Sequence, residues 1–538
     1  MTRARMAPSK ILSKLKEDDK NNKNTLQRIY NARSNLRRKD LQGRLVMQQL
    51  LWLAQKKNYA CQKKLDEFGH VTHLFIAHTE CVKLALCFPQ VLILDCTYKT
   101  NKYEMPLMNV VGHTSTKSPF TVDFCFLKDG LKESYVWALE QVKLVFREDA
   151  LPKIMVTDQE AALLFAIRKV FQDAQNFLCT FHIWNNVRKK CQPIIQPLKL
   201  KELEKIAKLP YGERQVKKKQ FKKEYEANEM MWACFSNDWD ALVWSITEEV
   251  YEENVAKLIA NWSVKYPEII IYLRKKSLDT NKHRFLRAFK NHHKHFDNQA
   301  TSMVESAHYR LKRNLFGCVD TFVTVFEAME DYFMSGVIRI KTLFEKSLMM
   351  KHDDFLDDKR LRGLIHRVSH LCLELIMKEV HLMDKMDANS QEECVCKMRE
   401  SMGLSCRHDL LRYKDYMVPF EDIDPHWKQL SFDPIPDDDD DVEIRDTPYG
   451  KWLAEMYRGM FRAQKQILWH NMMPILYPHT QQGLLEPEKG PQKGRPPSKE
   501  TRKEQREKAN VLGKKRVLLE GIQSGSSTML QSTKKRRR

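Results

Sequence analysis

Three acidic residues lie where a fold could bring their carboxylates together. Asp95 and Asp158 each close a short apolar run, in VLILDCTYKT and in KIMVTDQE, and Glu305 lies in TSMVESAHYRLK. The last string is predicted to be helical, which places His308 and Lys312 on the same face as Glu305. Converging carboxylates repel one another unless divalent cations neutralise them, and phosphoryl-transfer enzymes use two such cations. Taken singly, each acid is more typical of a helix cap, a turn or a solvated helix face.

A second set of chemically suggestive residues lies in CVCKMRESMGLSCRH, at 394–408. Cys394, Cys396, Cys406 and His408 offer three thiolates and one imidazole, which fill a tetrahedral zinc shell and leave no open position. Such a site is structural rather than catalytic. The spacing departs from the common Cys-x2-4-Cys pattern, so the alternative of four incidental groups in a loop stays open.

The elements that must position the acids are predicted from hydrophobic periodicity. Five apolar or alternating runs predict strands, at 91–94, 105–115, 120–128, 153–157 and 176–178. Helices are predicted at 25–66, 133–146 and 161–171, and the string NFLCTFHIW runs from a strand into a helix. The resulting order β-β-β-α-β-α-β predicts an α/β fold, a mixed sheet flanked by helices. In such a sheet Asp95 and Asp158 would meet at one edge.

Charge is concentrated at the two ends of the chain. The net charge is +21, with 17 basic and 4 acidic residues in 1–64 and 16 basic and 4 acidic residues in 489–538. The ends therefore carry +13 and +12, which leaves −4 for the residues between them. Basic ends on a balanced body favour contact with a polyanion such as nucleic acid. Solubilising tails explain the charge alone equally well.

Two classes of protein are excluded by composition. No apolar run approaches the ~18 residues of a membrane span, and the N-terminus lacks the apolar stretch of a secretory signal. Thirteen cysteines without secretory context favour reduced thiols or metal ligands over disulfides. We therefore expect an intracellular protein without a transmembrane segment.

Four strings resemble, in order and spacing, the transposase domain of Mutator-like elements (MULE): LDCTYKTNKYEMPL, VTDQEAALLFAI, LCTFHIWNNV and TSMVESAHYRLK. The resemblance covers about 85–320. It implies an RNase H-like, integrase-type fold with a large all-helical insertion and a DDE triad formed by Asp95, Asp158 and Glu305. It also implies that the triad binds two Mg or Mn ions. The implied partner is DNA, both the terminal inverted repeats of the element and the target DNA. A nuclear location and a homo-oligomer are further expectations.

The family's Cys-x-x-His element falls on Cys179 and His182, which the resemblance places near the acids. The helical spacing from Glu305 adds His308 and Lys312 as accessory residues. The alternative for Cys179 and His182 is a buried thiol and a hydrogen-bonded core histidine. The cysteine cluster resembles a SWIM-type zinc finger, which commonly follows a MULE domain and would hold one structural zinc ion. Residues 1–84 show no recognisable zinc-ligand set, although the family usually carries an N-terminal zinc-binding reader. A truncated sequence and a relic copy that has lost this reader are both open alternatives, and the intact acids at all three positions favour retained activity.

The domain organisation follows from these assignments. We predict a basic helical region at 1–84, the transposase domain at 85–320 with its insertion at about 190–300, and a helical region at 321–385. A zinc finger at 386–415, a helical and loop region with an acidic run at 416–488, and a basic disordered tail at 489–538 complete the list.

The tail carries two further patterns. Lys493 and Arg495 lie in a Gly-Arg-Pro context that resembles a loose AT-hook, which would contact the minor groove, although a Pro-rich linker is an equal alternative. The terminal KKRRR favours nuclear import.

Three functions remain at this stage. The first is a cut-and-paste DNA transposase that uses two metal ions for hydrolysis and strand transfer. The second is a transposase-derived nuclear DNA-binding regulator without catalytic activity, similar to plant far-red-response regulators. The third is a protein-interaction scaffold that acts through the zinc finger.

Overall fold

The computed structural model describes residues 8–197, 206–207, 209–313, 315, 320–350, 353–386, 394–433, 451, 455–458, 465, 472 and 484–488. The chain separates into two units, Met1–Gly490 and Pro491–Arg538. All described residues belong to the first unit. The acidic run at 437–441 and the tail with Lys493, Arg495 and the terminal basic run lie outside the described residues.

The core element is a seven-stranded mixed sheet in the order β1-β2-β5-β4-β3-β6-β7. The first five strands in this order, β1, β2, β5, β4 and β3, pair antiparallel with their neighbours. Strand β6 pairs parallel with both β3 and β7. The strands are β1 Tyr59–Leu65, β2 Val71–His78, β3 Val91–Thr97, β4 Leu107–His113, β5 Pro119–Phe126, β6 Ile154–Thr157 and β7 Gln175–Leu178. The predicted mixed α/β class is therefore confirmed.

Helices flank the sheet and make up most of the regular structure outside it. Those associated with the sheet are α1 Pro8–Asp18, α2 Leu26–Leu41, α3 Val46–Lys56, α4 Thr79–Cys87, α5 Lys132–Lys143, α6 Ala161–Val170 and α7 Thr180–Ile195. The helices that follow are α8 Tyr211–Val243, α9 Glu248–Trp262, α10 Pro267–Leu273, α11 Asp279–Phe285, α12 Arg287–Lys290, α13 Ser302–Arg313, α14 Phe322–Met349, α15 Asp353–Asp357, α16 His370–Met383, α17 Met398–Met402, α18 Arg407–Leu410 and α19 Pro425–Lys428. A π-helical turn, Arg274–Leu278, joins α10 to α11.

The two faces of the sheet are covered by different helices because successive strand residues point to opposite sides. Val91 and Ile93 of β3 pack into one buried cluster with the apolar residues of α3, α13 and α14. Leu92 and Leu94 pack into a second cluster with α4, α5 and α6. Asp95 follows Ile93 by two residues, so its side chain lies on the face covered by α13.

The N-terminal hairpin was not predicted. The predicted helix over 25–66 is wrong at residues 59–65, which form β1, and β2 extends the sheet further. Strand β1 is the edge of the sheet and alternates buried Tyr59 with exposed and half-buried polar residues. Because Tyr59 is the single buried residue of β1, its sequence lacks the clear alternation of apolar and polar residues that predicts a strand. The segment therefore resembles the basic helix that precedes it.

The insertion is helical, as predicted. Helices α8 to α12 build a third buried cluster together with α7, and the 33-residue α8 forms its longest element. Trp184 of α7 stacks on Trp232 of α8 at 5.6 Å between ring centroids. The insertion is therefore attached directly to the helix that follows β7.

No helix among the described residues combines the length and the apolar character needed to cross a membrane.

Candidate active site and metal centre

Strand register brings Asp95 and Asp158 side by side. In the parallel pair of β3 and β6, Val91 lies opposite Ile154 and Ile93 opposite Val156. Continuing this register by two residues places Asp95 at the level of Asp158. Asp158 directly follows β6, whereas β3 continues to Thr97, so Asp95 lies within its strand rather than at its end.

Both aspartates line one cavity of about 410 Å³. The other lining residues are Cys96, Tyr98, Gln159, Glu160, His182 and Asn186. Asp95 and Asp158 had been predicted as site residues, as had His182, whereas Glu160, Tyr98 and Asn186 were missed. Glu160 is only two residues from Asp158, and its Oε2 accepts a hydrogen bond from the Tyr135 hydroxyl at 2.8 Å.

The electrostatics of the cavity reflect two carboxylates that share a confined space. Burial raises the pKa of Asp158, and the nearby negative charge of Asp95 raises it further. The backbone N–H of Glu160 donates to Asp158 Oδ1 at 3.2 Å, and that of Cys96 donates to Asp95 Oδ1 at 2.8 Å. A cation between the two aspartates would relieve their repulsion.

Glu305 is connected to this cavity through His182. Helix α13 packs against β3 and β4, which carries Glu305 towards the carboxyl end of β3. Its Oε1 lies 3.7 Å from Nε2 of His182, and about one third of each side chain is exposed. The Thr301 hydroxyl donates to the same Oε1 at 2.9 Å, which fixes the carboxylate one turn into the helix.

Cys179, His182 and Thr301 form a compact polar group behind Glu305. The backbone N–H and the hydroxyl of Thr301 each lie 3.2 Å from Cys179 Sγ, and the hydroxyl lies 3.2 Å from His182 Nδ1. Burial raises the pKa of Cys179, but hydrogen bonds from His182 and Thr301 outweigh it, and the net pKa is lowered. The hydrogen bond with Cys179 raises the pKa of His182 to about 9. Their contact thus lowers the pKa of Cys179 and raises that of His182 beside Glu305.

His308 and Lys312 surround Asp95 from the other side. Nδ1 of the buried His308 lies 3.5 Å from Asp95 Oδ2. Burial lowers the pKa of Lys312, and the charge of Asp95 opposes that effect. The face predicted from the i, i+3, i+7 spacing is thus directed at the carboxylate of Asp95.

Unpartnered polar atoms around Asp95 match a hydrated cation. Asn109 lies opposite Asp95 in the register of β3 and β4, and both polar atoms of its buried amide have no hydrogen-bond partner. Nε2 of His308 is also buried without a partner. Carboxylate oxygens with nearby amide and imidazole groups suit Mg or Mn, which retain water ligands that such groups can bind. The donor types around Asp95 and Asp158 would therefore suit a divalent cation, while the contacts of the Glu305 carboxylate are with His182 and Thr301.

A tighter cluster occurs at Cys394, Cys396, Cys406 and His408, whose ligand atoms all lie within 4.8 Å of one another. It is the one such group within the described ranges, so the three acids do not form a comparably tight group. Asp95 and Asp158 line a shared cavity, and Glu305 contacts His182 in its wall. Cys394 Sγ and Cys406 Sγ are 3.6 Å apart, and His408 Nδ1 lies 3.2 Å from Cys396 Sγ and 3.8 Å from Cys406 Sγ. Tetrahedral zinc with ordinary bond lengths requires edges of about 3.5–3.8 Å. The cluster fits a closed zinc site.

The cluster is anchored to the rest of the fold. The Trp427 indole N–H donates to the Met402 carbonyl at 2.7 Å, and the Arg407 N–H donates to Glu379 Oε2 of α16 at 2.9 Å. Gly403 has a φ of +66°, and a Cβ there would collide with the Asp424 side chain. The left-handed φ and the close approach of the Asp424 side chain together require glycine at this position.

Comparison with known proteins identifies the class. Residues 91–186 match the family model of the MULE transposase domain. The match contains Asp95, Asp158, Cys179 and His182, and ends before Glu305. Residues 91–186 are therefore similar to the MULE transposase domain, and the predicted resemblance to that domain is confirmed over this range.

Individual relatives agree with this assignment. The chain is similar to FAR1-related sequence 4 of Arabidopsis thaliana, at 32% identity over 96 residues, which is 18% of this chain and 13% of that protein. It is similar to FAR1-related sequence 12 of the same plant, at 22% over 342 residues, which is 60% of this chain and 39% of that protein.

A third relative is the PKS-NRPS hybrid synthetase cheA of Chaetomium globosum, at 21% identity over 392 residues, which is 67% of this chain and 8% of that protein. The chain thus spans less than half the length of each of these three relatives. Most of the synthetase lies outside the match.

Proposed function

We propose that this protein is a DNA transposase of the Mutator-like type that hydrolyses phosphodiester bonds and transfers DNA strands. The observation that carries the proposal is the pairing of Asp95 with Asp158 on one cavity, with Glu305 linked to it through His182. The MULE match over 91–186 supports the same chemistry. The RNase H-like, integrase-type architecture is part of the proposal, and three antiparallel strands followed by two parallel crossover strands support it.

The carboxylates of Asp95, Asp158 and Glu305 would hold two Mg or Mn ions. Such ions supply a nucleophile at neutral pH and stabilise the charge of the leaving oxygen. Thr301 and His182 would orient Glu305, while His308 contacts Asp95 and Lys312 would offset the negative charge of Asp95. A cation bound beside Asp158 would oppose the effects of burial and of Asp95 that raise the pKa of Asp158.

DNA recognition is assigned to the basic flanks and the zinc finger. The residues 1–64 carry +13, and Lys493 and Arg495 provide a minor-groove contact in the tail. Cys394, Cys396, Cys406 and His408 form a SWIM-type finger in this proposal, with one structural zinc ion. Nuclear import through the terminal basic run and assembly into a homo-oligomer on paired DNA ends complete it.

The test is cleavage of DNA that bears the terminal inverted repeats flanking the gene. We expect nicking that requires Mg or Mn and is abolished by Asp95→Asn and by Glu305→Gln, while both variants still bind the DNA. Wild-type protein that binds this DNA and leaves it uncut with either metal would contradict the proposal.

A second candidate is a nuclear DNA-binding regulator without catalytic activity. The similarity to two FAR1-related sequences favours it, because the resemblance connects such plant proteins with gene regulation. It predicts salt-sensitive DNA binding that the acid substitutions leave unchanged, with no cleavage by the wild type. A solitary gene without terminal repeats or a target-site duplication would also favour it.

A further inference from the structure

A second cavity, of about 250 Å³, lies between β5 and helices α13 and α14, away from the acids. Its polar lining is cationic, because Arg310 and Arg339 border it and none of its lining residues is acidic. Thr121, Tyr332 and Phe120 are among the other lining residues. The sequence analysis assigned no role to any of these side chains.

The two arginines lie close together without acidic partners. Within the described part of the chain, neither guanidinium has a carboxylate within ion-pair distance. Arg339 Nη2 donates to the Pro119 carbonyl at 3.3 Å, and Arg310 lies over the Tyr332 ring at 5.3 Å from its centroid. Burial lowers the pKa of Arg339, and the positive charge of Arg310 lowers it further. Two like charges beside one cavity would be stabilised by an anion between them.

The size and chemistry of the cavity favour a phosphate diester. Paired guanidinium groups match the geometry of phosphate oxygens. The volume is below the ~300 Å³ at which pockets for drug-sized molecules begin, so a phosphate and part of its sugar fit better than a larger ligand. Phe120 and the Tyr332 ring offer apolar surface for a deoxyribose.

The position of the cavity relates it to the candidate active site. Arg310 lies five residues after Glu305 on α13, which is about 7.5 Å along the helix axis. A B-DNA strand carries one phosphate per ~3.4 Å of axis. Five residues also turn the helix by about 140°, so a strand cut near Glu305 would pass around α13 to bring a phosphate to Arg310.

We propose that Arg310 and Arg339 bind a backbone phosphate of the DNA substrate a few nucleotides from the bond that is cut. The inference rests on the proposed function, since it takes DNA as the ligand. The contact positions the strand and reads no sequence, because phosphate contacts fix register without base information.

Gly336 offers a variant that blocks the cavity without changing its charge. It lies within α14, lines the cavity, and has no atom within 4 Å of the position a Cβ would take. A Gly336→Leu side chain therefore meets open space, and replacing glycine within a helix favours folding. Loss of binding in this variant reports on the cavity rather than on misfolding.

The experiment measures binding of a fluorescein-labelled duplex by the full chain, without added divalent cations and over a range of salt concentrations. We expect Arg310→Ala, Arg339→Ala and Gly336→Leu each to weaken binding by about 10-fold. The slope of log affinity against log salt should fall by about 0.9 in the arginine variants. Arg362→Ala is the matched control, since the exposed Arg362 also donates to a backbone carbonyl, that of Leu356, and borders neither cavity.

Two results would overturn the inference. The first is equal binding by Arg310→Ala, Arg339→Ala and Arg362→Ala. The second combines two observations: inorganic phosphate raises the melting temperature of the wild type but not of Gly336→Leu, and both proteins bind DNA with the same affinity. The cavity would then hold free phosphate and contribute nothing to DNA binding. Failure of the proposed function would look different, because the wild type would then bind DNA and not cut it, whatever the arginine variants do.

Discussion

At the scale of single residues, Thr301 is the least expected member of the candidate site. Its hydroxyl carries one hydrogen and lies within 3.2 Å of Cys179 Sγ, His182 Nδ1 and Glu305 Oε1. It is fully buried and precedes α13 by one residue. The group therefore couples the Cys-x-x-His element to the acid on the helix.

Removing this hydroxyl should lower cleavage without weakening DNA binding. We expect Thr301→Val to reduce the cleavage rate by about 10–100-fold, the usual cost of losing a group that orients a metal ligand. Thr301→Ser keeps the hydroxyl and should restore most of the rate. Single-turnover cleavage beside a binding titration measures both, and equal rates for the Val variant and the wild type would contradict this role.

Gly403 tests the packing of the zinc segment. A Gly403→Ala side chain would adopt a strained φ of +66° and collide with Asp424. We expect the free energy of unfolding to fall by about 1–3 kcal/mol in urea titrations. Gly363→Ala is the control, because its Cβ would meet Met417 Sδ at an ordinary 3.6 Å. Similar losses in both variants would show that the strain at Gly403 is not the cause.

The sequence predicted some site residues better than others, for physical reasons. Asp95 and Asp158 close apolar runs, and strand register then aligns them. Glu160 and Thr301 were missed because an acid before a helix and a threonine before a helix are ordinary caps. Only their contacts with Tyr135 and Glu305 distinguish them.

At the scale of elements, buried strands were easier to predict than edge strands. Strands β3 to β7 have continuous apolar runs, because helices cover both faces of the sheet. Strand β1 was missed because it pairs on one side only and leaves its Lys and Gln side chains exposed or half-buried. Strand β2 was missed although it is buried and lies between β1 and β5. The helical insertion was predicted from its lack of turn residues and its spaced aromatic side chains, which build a separate core.

The zinc segment should depend on its metal. Short helices α17 and α18 cannot bury much apolar surface by themselves, so zinc binding would contribute much of their stability. We expect about one zinc ion per purified chain, and its loss in Cys406→Ser together with faster proteolysis near residue 400. Metal analysis and limited proteolysis measure these effects. The control is Cys234→Ser, at an exposed cysteine, which should bind as much zinc as the wild type. An unchanged zinc content in Cys406→Ser would refute the site.

At the scale of the whole molecule, buried histidines should make the fold sensitive to acid. Burial lowers the pKa of His73 and of His113 to about 4 each, from an ordinary 6.5. The unfolded chain therefore binds protons more readily than the folded chain between these values. Above pH 6.5 the contribution of these two histidines to the free energy of unfolding should be constant. As the pH drops from 6.5 towards 4, it should fall by up to about 1.4 kcal/mol per pH unit for each histidine.

Urea unfolding at a series of pH values measures this dependence. We expect His73→Gln to flatten the decline below pH 6.5, whereas His283→Gln, at an exposed histidine, should leave it unchanged. An identical decline in both variants would show that carboxylates rather than buried histidines control acid unfolding.

The central claim is that specific acids of the larger cavity carry out phosphodiester cleavage. The most direct test compares two nearly isosteric substitutions two residues apart in that cavity, Asp158→Asn and Glu160→Gln, in Mg-dependent cleavage at equal DNA occupancy. The account predicts a fall of at least about 10³-fold for Asp158→Asn and a much smaller change for Glu160→Gln, whose carboxylate is held by Tyr135. Full cleavage by Asp158→Asn would contradict it.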